Sequence, residues 1–362
     1  MSQNVLKEEE IVAFELRALY QKYGYLPYKM SKFEEYDLYA RNKEFLEGSR
    51  IVTFNDTDGK LLALKPDITL SIVKNDADGG AKRKVYYNEN VYRASKKTGE
   101  FKELMQVGLE CIGAIDVYDE FETLYLAAAS LAATNGDFVL DISHLGLITS
   151  LLKETGAGKS FEKEALRCLS EKNAHELIAL CNRYEVSAEK LVTLMGAYGD
   201  LEGTLQKVKP LCTSEETKRA YQKLETLCNL LSETEYADKI RLDFSVAGGG
   251  NYYDDIIFSG FVSGIGESVL SGGRYDRLLA RMGKKSGAIG FAVYLDRLEE
   301  LCKTKKTVDV DVLVLYDDSV ALSEVVKTVR SLVEAGESVS AQKTEGELRF
   351  KRLVDLRGGK TC

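Results

Sequence analysis

Three side chains within one short stretch have the chemistry to hold a zwitterion: Arg93, Gln106 and Glu110. They lie in YYNENVYRASKKTGEFKELMQVGLECIG, residues 86–113, which reads as two strands joined by a polar loop. The first arm, Tyr86 to Ala94, is rich in tyrosine and valine. The loop Ser95-Lys96-Lys97-Thr98-Gly99 closes on a glycine that is free to take positive φ. The return arm, Leu104 to Ile112, alternates polar and apolar residues. Gln106 and Glu110 are separated by an even number of residues, so a strand turns both to one face. A face carrying a guanidinium, an amide and a carboxylate suits a zwitterionic ligand. The same pattern also fits a half-solvated antiparallel sheet whose polar face meets water.

The whole chain narrows the choice. Its 362 residues, 44% hydrophobic and 29% charged, suffice for one large core and smaller units. A net charge of −8 provides no overall basic footprint for gripping nucleic acid. The 7 cysteines are scattered without C-x-x-C spacing, as expected of reduced thiols in a cytoplasmic protein. Two histidines, His144 and His175, are too few for a His-rich metal site. There is no basic-then-apolar leader and no run of about 18 apolar residues, so neither membrane nor secretion is expected.

The elements that must position these residues are legible in chain order. Residues 5–23 read as an amphipathic helix with Ile11, Phe14 and Leu19 on its apolar face and Gly24 as its stop. Residues 51–73 read as a hairpin turning at Asp58-Gly59, then a strand entering a helix at Asp67 or Thr69. Asp67 stands where an N-cap would. A helix with an alanine-rich face covers Tyr118–Thr134. FVLDISHLGLITSLL then gives a strand and a helix, with His144 at the corner in a structural role. Residues 155–240 are polar, amphipathic and helical throughout, without strand signal, and their charge runs read as solvated faces. The sheet returns at Ile240, where RLDFSVAGGGNYYDDIIFSGFV reads as a strand, a triple glycine and a strand opening on Tyr252-Tyr253. Gly272-Gly273-Arg274-Tyr275-Asp276 reads as a glycine-rich turn before a helix. After a linker at Lys303–Thr307, DVLVLYDD is an apolar strand and Ser319–Glu334 a helix stopped by Gly336, with a second βα unit beyond.

In this order the segments resemble the class II aminoacyl-tRNA synthetases, specifically the histidyl type, over about residues 5–300. Arg93, Gln106 and Glu110 match motif 2, and Phe33-Glu34 match motif 1, although Ser31 takes its proline position. Leu64-Lys65-Pro66-Asp67-Ile68-Thr69 matches a Leu-Arg-Pro-acid-x-Thr segment, and Gly287–Phe291 with Arg297 matches motif 3. The resemblance implies an α+β fold: a class II synthetase-like antiparallel sheet core flanked by helices. The core would comprise residues 1–154 and 241–302, with a helical insertion at 155–240. A short C-terminal α/β unit at 308–362 resembles only the beginning of an anticodon-binding domain. By the same resemblance, L-histidine is the implied ligand. Asp67 and Thr69 would hold its ammonium, and Gln106 and Arg93 its carboxylate. Glu110 and Tyr253 would meet its imidazole, with Tyr252 and Tyr275 in the wall.

The chain departs from that family where ATP would bind. Ser95, Glu100 and Leu104 replace the motif 2 glutamate, arginine and phenylalanine. Gly248 and Asn251 replace the arginine and aspartate of an Arg-Gly-Leu-Asp-Tyr-Tyr segment. This pattern of kept and lost residues is similar to that of the regulatory subunits of ATP phosphoribosyltransferase, which are synthetase-like paralogues without aminoacylation. That resemblance implies no catalysis on this chain, no cofactor, no metal and no tRNA. It implies a short-form ATP phosphoribosyltransferase catalytic subunit as partner, and homodimers, paired through motif 1, within a hetero-oligomer. The role would be in the first step of histidine biosynthesis and its feedback regulation by histidine. Two other readings stand beside it: a divergent active histidyl-tRNA synthetase, and a histidine sensor acting on another partner.

Overall fold

The computed structural model describes residues 8–46, 50–76, 79, 81–94, 98–134, 136–247, 252–298 and 308–358. Two compact units result, Met1–Leu301 and Cys302–Cys362.

The first unit opens with helix α1 (Glu8–Lys22), which ends where Gly24 takes φ +81°. Its buried face is Val12, Ala13, Leu16 and Tyr20, whereas Phe14 is 54% exposed. The apolar face is thus rotated away from the one expected, because Tyr20 must reach the sheet and packs edge-on against Phe291. Strand β1 (Leu26–Pro27) follows, then β2 (Phe33–Glu35), helix α2 (Tyr36–Arg41) and the hairpin β3 (Thr53–Asn55) and β4 (Leu61–Leu64). Gly59 at φ +80° makes the turn, and Asp56 Oδ1 accepts from the backbone N–H groups of Asp58 and Lys60. These strands form a small antiparallel sheet in the order β2-β4-β3. Helix α3 (Thr69–Lys74) leads to the long hairpin β5 (Arg83–Ala94) and β6 (Phe101–Gly113). Both arms extend three residues beyond the expected bounds at one end, because every residue from Arg83 to Ala94 finds a partner on β6.

Helix α4 (Val117–Ala132) starts with a capping box in which Asp116 and Asp119 satisfy each other's backbone N–H. After β7 (Phe138–His144) and α5 (Leu145–Glu154) come helices α6 (Lys159–Ser170), α7 (Ala174–Arg183) and α8 (Glu189–Met195). A two-residue strand, β8 (Tyr198–Gly199), interrupts this otherwise helical stretch and pairs with the sheet, contrary to the all-helical expectation. Helices α9 (Leu201–Val208) and α10 (Glu215–Ser232) complete it. Then follow β9 (Ile240–Asp243), β10 (Ile256–Val262), β11 (Leu270–Arg274), α11 (Asp276–Arg281), β12 (Gly287–Tyr294) and α12 (Leu295–Leu298).

Two expectations are corrected here. Tyr252 and Tyr253 precede β10 in a turn rather than opening a strand. Gly272 and Gly273 lie inside β11, not in a turn. A Cβ on Gly273 would stand 2.6 Å from Tyr253 Cδ1, so glycine there makes room for the tyrosine and not for a bend.

The large sheet has nine described strands in the order β1-β5-β6-β12-β11-β10-β7-β9-β8. Its central pairings, from β5 through β7, are antiparallel. Alternation gives it two different faces. Val107, Leu109, Phe291, Val293, Phe258 and Ile142 join the helices in the main core. Gln106, Glu110, Gly290 and Ala292 take the opposite parity and line a cleft. No described helix is long and apolar enough to cross a membrane.

The second unit is a parallel sheet in the order β14-β13-β15, with β13 (Val310–Leu315), β14 (Val339–Gln342) and β15 (Phe350–Asp355). Helix α13 (Leu322–Glu334) starts three residues later than the sequence suggested. Asp317 instead caps a turn there, its Oδ1 accepting from both the N–H and the hydroxyl of Ser319.

Candidate functional site

The cleft, of about 1570 Å³, lies on the open face of the large sheet. All eight residues expected to hold a ligand line it: Asp67, Thr69, Arg93, Gln106, Glu110, Tyr252, Tyr253 and Tyr275.

Local sequence places the first two. Lys65 is fully buried and its Nζ lies 2.6 Å from Glu89 Oε2 on β5. That ion pair, with the Tyr92 N–H donating to Lys65 O at 2.9 Å, clamps the Pro66-Asp67 turn against the hairpin. Asp67 Oδ1 accepts from the Leu70 N–H at 2.9 Å, so it caps the first turn of α3. Its other oxygen, Oδ2, faces Arg93 at 3.7 Å. Burial raises the Asp67 pKa, while Arg93 and the backbone donors oppose that rise. Arg93 is also held by its own chain, since Nε donates to Pro66 O at 2.5 Å.

Glu110 is the centre of the site. Thr69 Oγ1 donates to its Oε1 at 2.8 Å, and Tyr275 Oη donates to its Oε2 at 2.5 Å. Thr69 is therefore engaged with the carboxyl rather than standing free beside Asp67. Burial pushes the Glu110 pKa up to about 8, against the two hydroxyl hydrogen bonds. Gly290 is in register with Glu110 across β12 and β6, and a Cβ there would collide with Glu110 Oε2. Gln106, 3% exposed, leaves its Nε2 without a hydrogen-bond partner among the described residues. The tyrosines form the wall: Tyr252 and Tyr253 are T-shaped at 4.9 Å between centroids, and Tyr252 stands 5.7 Å from Tyr275. Burial raises the Tyr252 and Tyr275 phenols well above their usual range, so both are neutral hydroxyls.

Other lining residues carry no local signal. Tyr87, whose hydroxyl reaches Phe291 O at 3.5 Å, belongs to a Tyr-Tyr pair that sends one ring to each sheet face. Arg50 and Lys102 add cations, and Glu103 adds an acid. Arg297 also lines the cleft. It donates to Ser268 O and stacks over Tyr294 at 4.3 Å. Glu100, which stands in place of the motif 2 arginine, is exposed and outside the lining, whereas Glu103 near the start of β6 lines the cleft. Leu104 does line the cleft. Ser95, Gly248 and Asn251 lie outside the described residues.

His144 is not part of the site. Its Nδ1 accepts from the Leu147 N–H at 3.2 Å, capping α5, and its Nε2 stands 3.1 Å from Asp255 Oδ1. Burial lowers its pKa to about 4, so it is neutral at neutral pH.

The arrangement is suited to recognition: an unpaired amide donor, a buried carboxyl between hydroxyls, and an acid at a helix start surround a space walled by aromatic rings. Comparison with known proteins agrees with the motifs. The family model described as histidyl-tRNA synthetase matches residues 3–298. A protein of Alkaliphilus metalliredigens named ATP phosphoribosyltransferase regulatory subunit is 27% identical over 288 residues, covering 77% of this chain and 73% of its own length. A Bacillus halodurans structure, described as an ATP phosphoribosyltransferase regulatory subunit/histidyl-tRNA synthetase, superposes with a TM-score of 0.78 at 21% identity, covering 96% of this chain and 93% of that one. A chain of the ATP phosphoribosyl transferase (HisG:HisZ) complex from Thermotoga maritima gives a TM-score of 0.64 at 19% identity, covering 79% and 97%. The class II synthetase-like fold read from the motifs is thus borne out.

Proposed function

The chain belongs to the histidyl-tRNA synthetase family, and from that premise we propose that it is a non-catalytic regulatory subunit of an ATP phosphoribosyltransferase that binds L-histidine in the cleft. The observation that carries the reading is the pairing of Gln106 Nε2, a buried donor without a described partner, with the buried carboxyl of Glu110. A histidine carboxylate would satisfy Gln106 with help from Arg93. Its ammonium would meet Asp67, and its imidazole would meet Glu110 beside Tyr253. A buried acid facing a ring nitrogen discriminates strongly against side chains lacking that donor.

The names of the relatives support the regulatory part. On this reading, the condensation of ATP with phosphoribosyl pyrophosphate, the first step of histidine biosynthesis, lies wholly on a short-form catalytic partner in the cytoplasm. This chain then acts by shifting the partner's conformational equilibrium. Histidine must bind the inhibited assembly more tightly than the active one, and the partner's substrates must weaken histidine binding by the same factor. Phe33, Phe54 and Leu61 are exposed on the β2-β4-β3 sheet, which supports pairing of two copies through that region within the hetero-oligomer.

The test is to mix the chain with a short catalytic subunit and measure phosphoribosyl-ATP formation with and without histidine. Equal activity with and without this chain removes the regulatory reading. Asp67→Ala with Glu110→Ala should keep activation and lose histidine sensitivity; unchanged sensitivity would move the feedback site to the partner.

A second reading, an active synthetase, is favoured by the cations Arg50, Lys102 and Arg297 at the cleft. Against it, Arg297 is engaged with Ser268, and Arg93 with Pro66 and Asp67. Histidine-dependent exchange of pyrophosphate into ATP is the discriminating assay, and none is expected.

A further inference from the structure

A second concavity of about 530 Å³ opens beside the first, and Tyr253 and Ser271 line both. It is built on one row of the sheet. Arg241, Asp141, Ser259, Ser271, Ala292, Gly108 and Tyr87 are successive register partners across β9, β7, β10, β11, β12, β6 and β5. Register partners share a face, so this row continues the floor of the cleft sideways.

Its two carboxylates are in different states. Asp243 is saturated: Oδ2 accepts from Lys172 Nζ at 2.9 Å, and Oδ1 accepts from the Ser245 N–H at 2.8 Å and the Ser245 hydroxyl at 2.6 Å. Asp141 is 9% exposed, lines the concavity, and has no hydrogen-bond partner for Oδ1 among the described residues. A buried acceptor left without a donor forfeits its hydration with nothing in return, so the site calls for a ligand that donates.

Charge and neighbours identify the donor. Lys172 is bound to Asp243, and Arg241 is the register partner of Asp141, so two cations already balance the two acids. A ligand ammonium would meet Lys172 across the same small space. Neutral hydroxyls face no such repulsion. The Ser259 side chain stands about 4.5–5.5 Å from that of Asp141 at the Cβ atoms, the separation of directly opposed strand residues. It can accept from a ligand hydroxyl whose neighbour donates to the carboxylate.

We propose that this concavity is a subsite for the vicinal diol of a ribosyl group, with Asp141 accepting from the diol and Ser259 completing the grip. The subsite stands independently of the histidine reading.

The probes are methyl β-D-ribofuranoside and its 2-deoxy analogue, titrated into the full-length protein and followed by ligand-observed NMR. The ribofuranoside should bind, with the deoxy analogue and Asp141→Asn each weakening binding roughly tenfold or more, as expected when a charge-assisted hydrogen bond is lost. Ser259→Ala should weaken it several-fold, and it carries the comparison if Asp141→Asn does not fold. L-Histidine binding, read by calorimetry, should be unchanged in both variants. Absence of ribofuranoside binding, equal binding of the two sugars, or equal binding by wild type and both variants would overturn the proposal. So would Asp141-dependent binding of n-butylammonium without binding of the sugars, which would make the subsite a cation site.

Discussion

Glu110 and Tyr275 are 165 residues apart and share a 2.5 Å hydrogen bond at the floor of the cleft. The bond fixes the floor by contact between β6 and the turn entering α11. Tyr275 is fixed from its own side as well, with its N–H donating to Ala288 O at 2.9 Å. A preorganised floor lowers the ordering cost of binding.

The first prediction is a bell-shaped pH dependence of histidine affinity. The bound pair, carboxylate on imidazolium, holds one proton. Free Glu110 keeps its proton up to about 8, and free imidazole takes one below about 6.5. Between those values the free partners together hold one proton, and binding is pH-independent. Below the window a proton must leave, and above it one must be taken up, so affinity falls on both sides. Calorimetry across pH should show both limbs. Glu110→Gln should lose the upper limb and bind about 1–3 kcal/mol more weakly within the window.

Gly290→Ala should abolish histidine binding while the protein remains folded. The new methyl would occupy the space of Glu110 Oε2 and press on Leu109 O. The side chain can swing away, whereas the carbonyl cannot, so a stability loss of about 1–3 kcal/mol is expected. Calorimetry together with thermal unfolding checks this, and unchanged affinity would contradict the geometry.

His144 should set part of the acid limb of stability. In the folded state it stays neutral down to about 4, whereas in the unfolded chain it takes a proton below about 6.5. Between those values the unfolded state binds more protons, so stability falls as pH drops through the window, by about 3 kcal/mol in all. His144→Asn retains an oxygen able to accept from the Leu147 N–H. It should flatten that limb in urea unfolding curves measured from pH 7 to 4.

Glu120→Gln should destabilise the protein by on the order of 3 kcal/mol, the cost of breaking one partner of a buried ion pair. Glu120 is fully buried and accepts from Lys223 Nζ at 2.6 Å and Arg274 Nη1 at 2.7 Å. It thereby ties α10 to the end of β11, next to Tyr275. Denaturant unfolding measures the loss, and histidine affinity should fall with it if the tie also positions Tyr275.

The chain alone determined the hairpin of β5 and β6 and the parity that puts Gln106 and Glu110 on one face. That parity is a local property of an extended backbone, repeating every two residues wherever the strand goes. The stop at Gly24, the turn at Gly59 and the corner at His144 are local for the same reason: each depends on its own dihedral angles or on a cap within three residues.

Only the tertiary structure decided what those faces meet. Nothing near Gly290 marks it as the partner of Glu110, because the register joins strands whose sequences are far apart. Gly272 and Gly273 look like a turn locally, yet β10 and β12 pair with them on both sides and leave space only for hydrogens. Phe14 looks like a core residue by helical spacing, but Tyr20 packing against Phe291 rotates it to solvent. Asp141 reads as one polar residue in an apolar strand, and becomes an acceptor without a donor only when Ser259 and Arg241 are set on either side of it. Periodicity fixes which side of a strand a residue faces; packing over long separations fixes its neighbours, and the neighbours make the site.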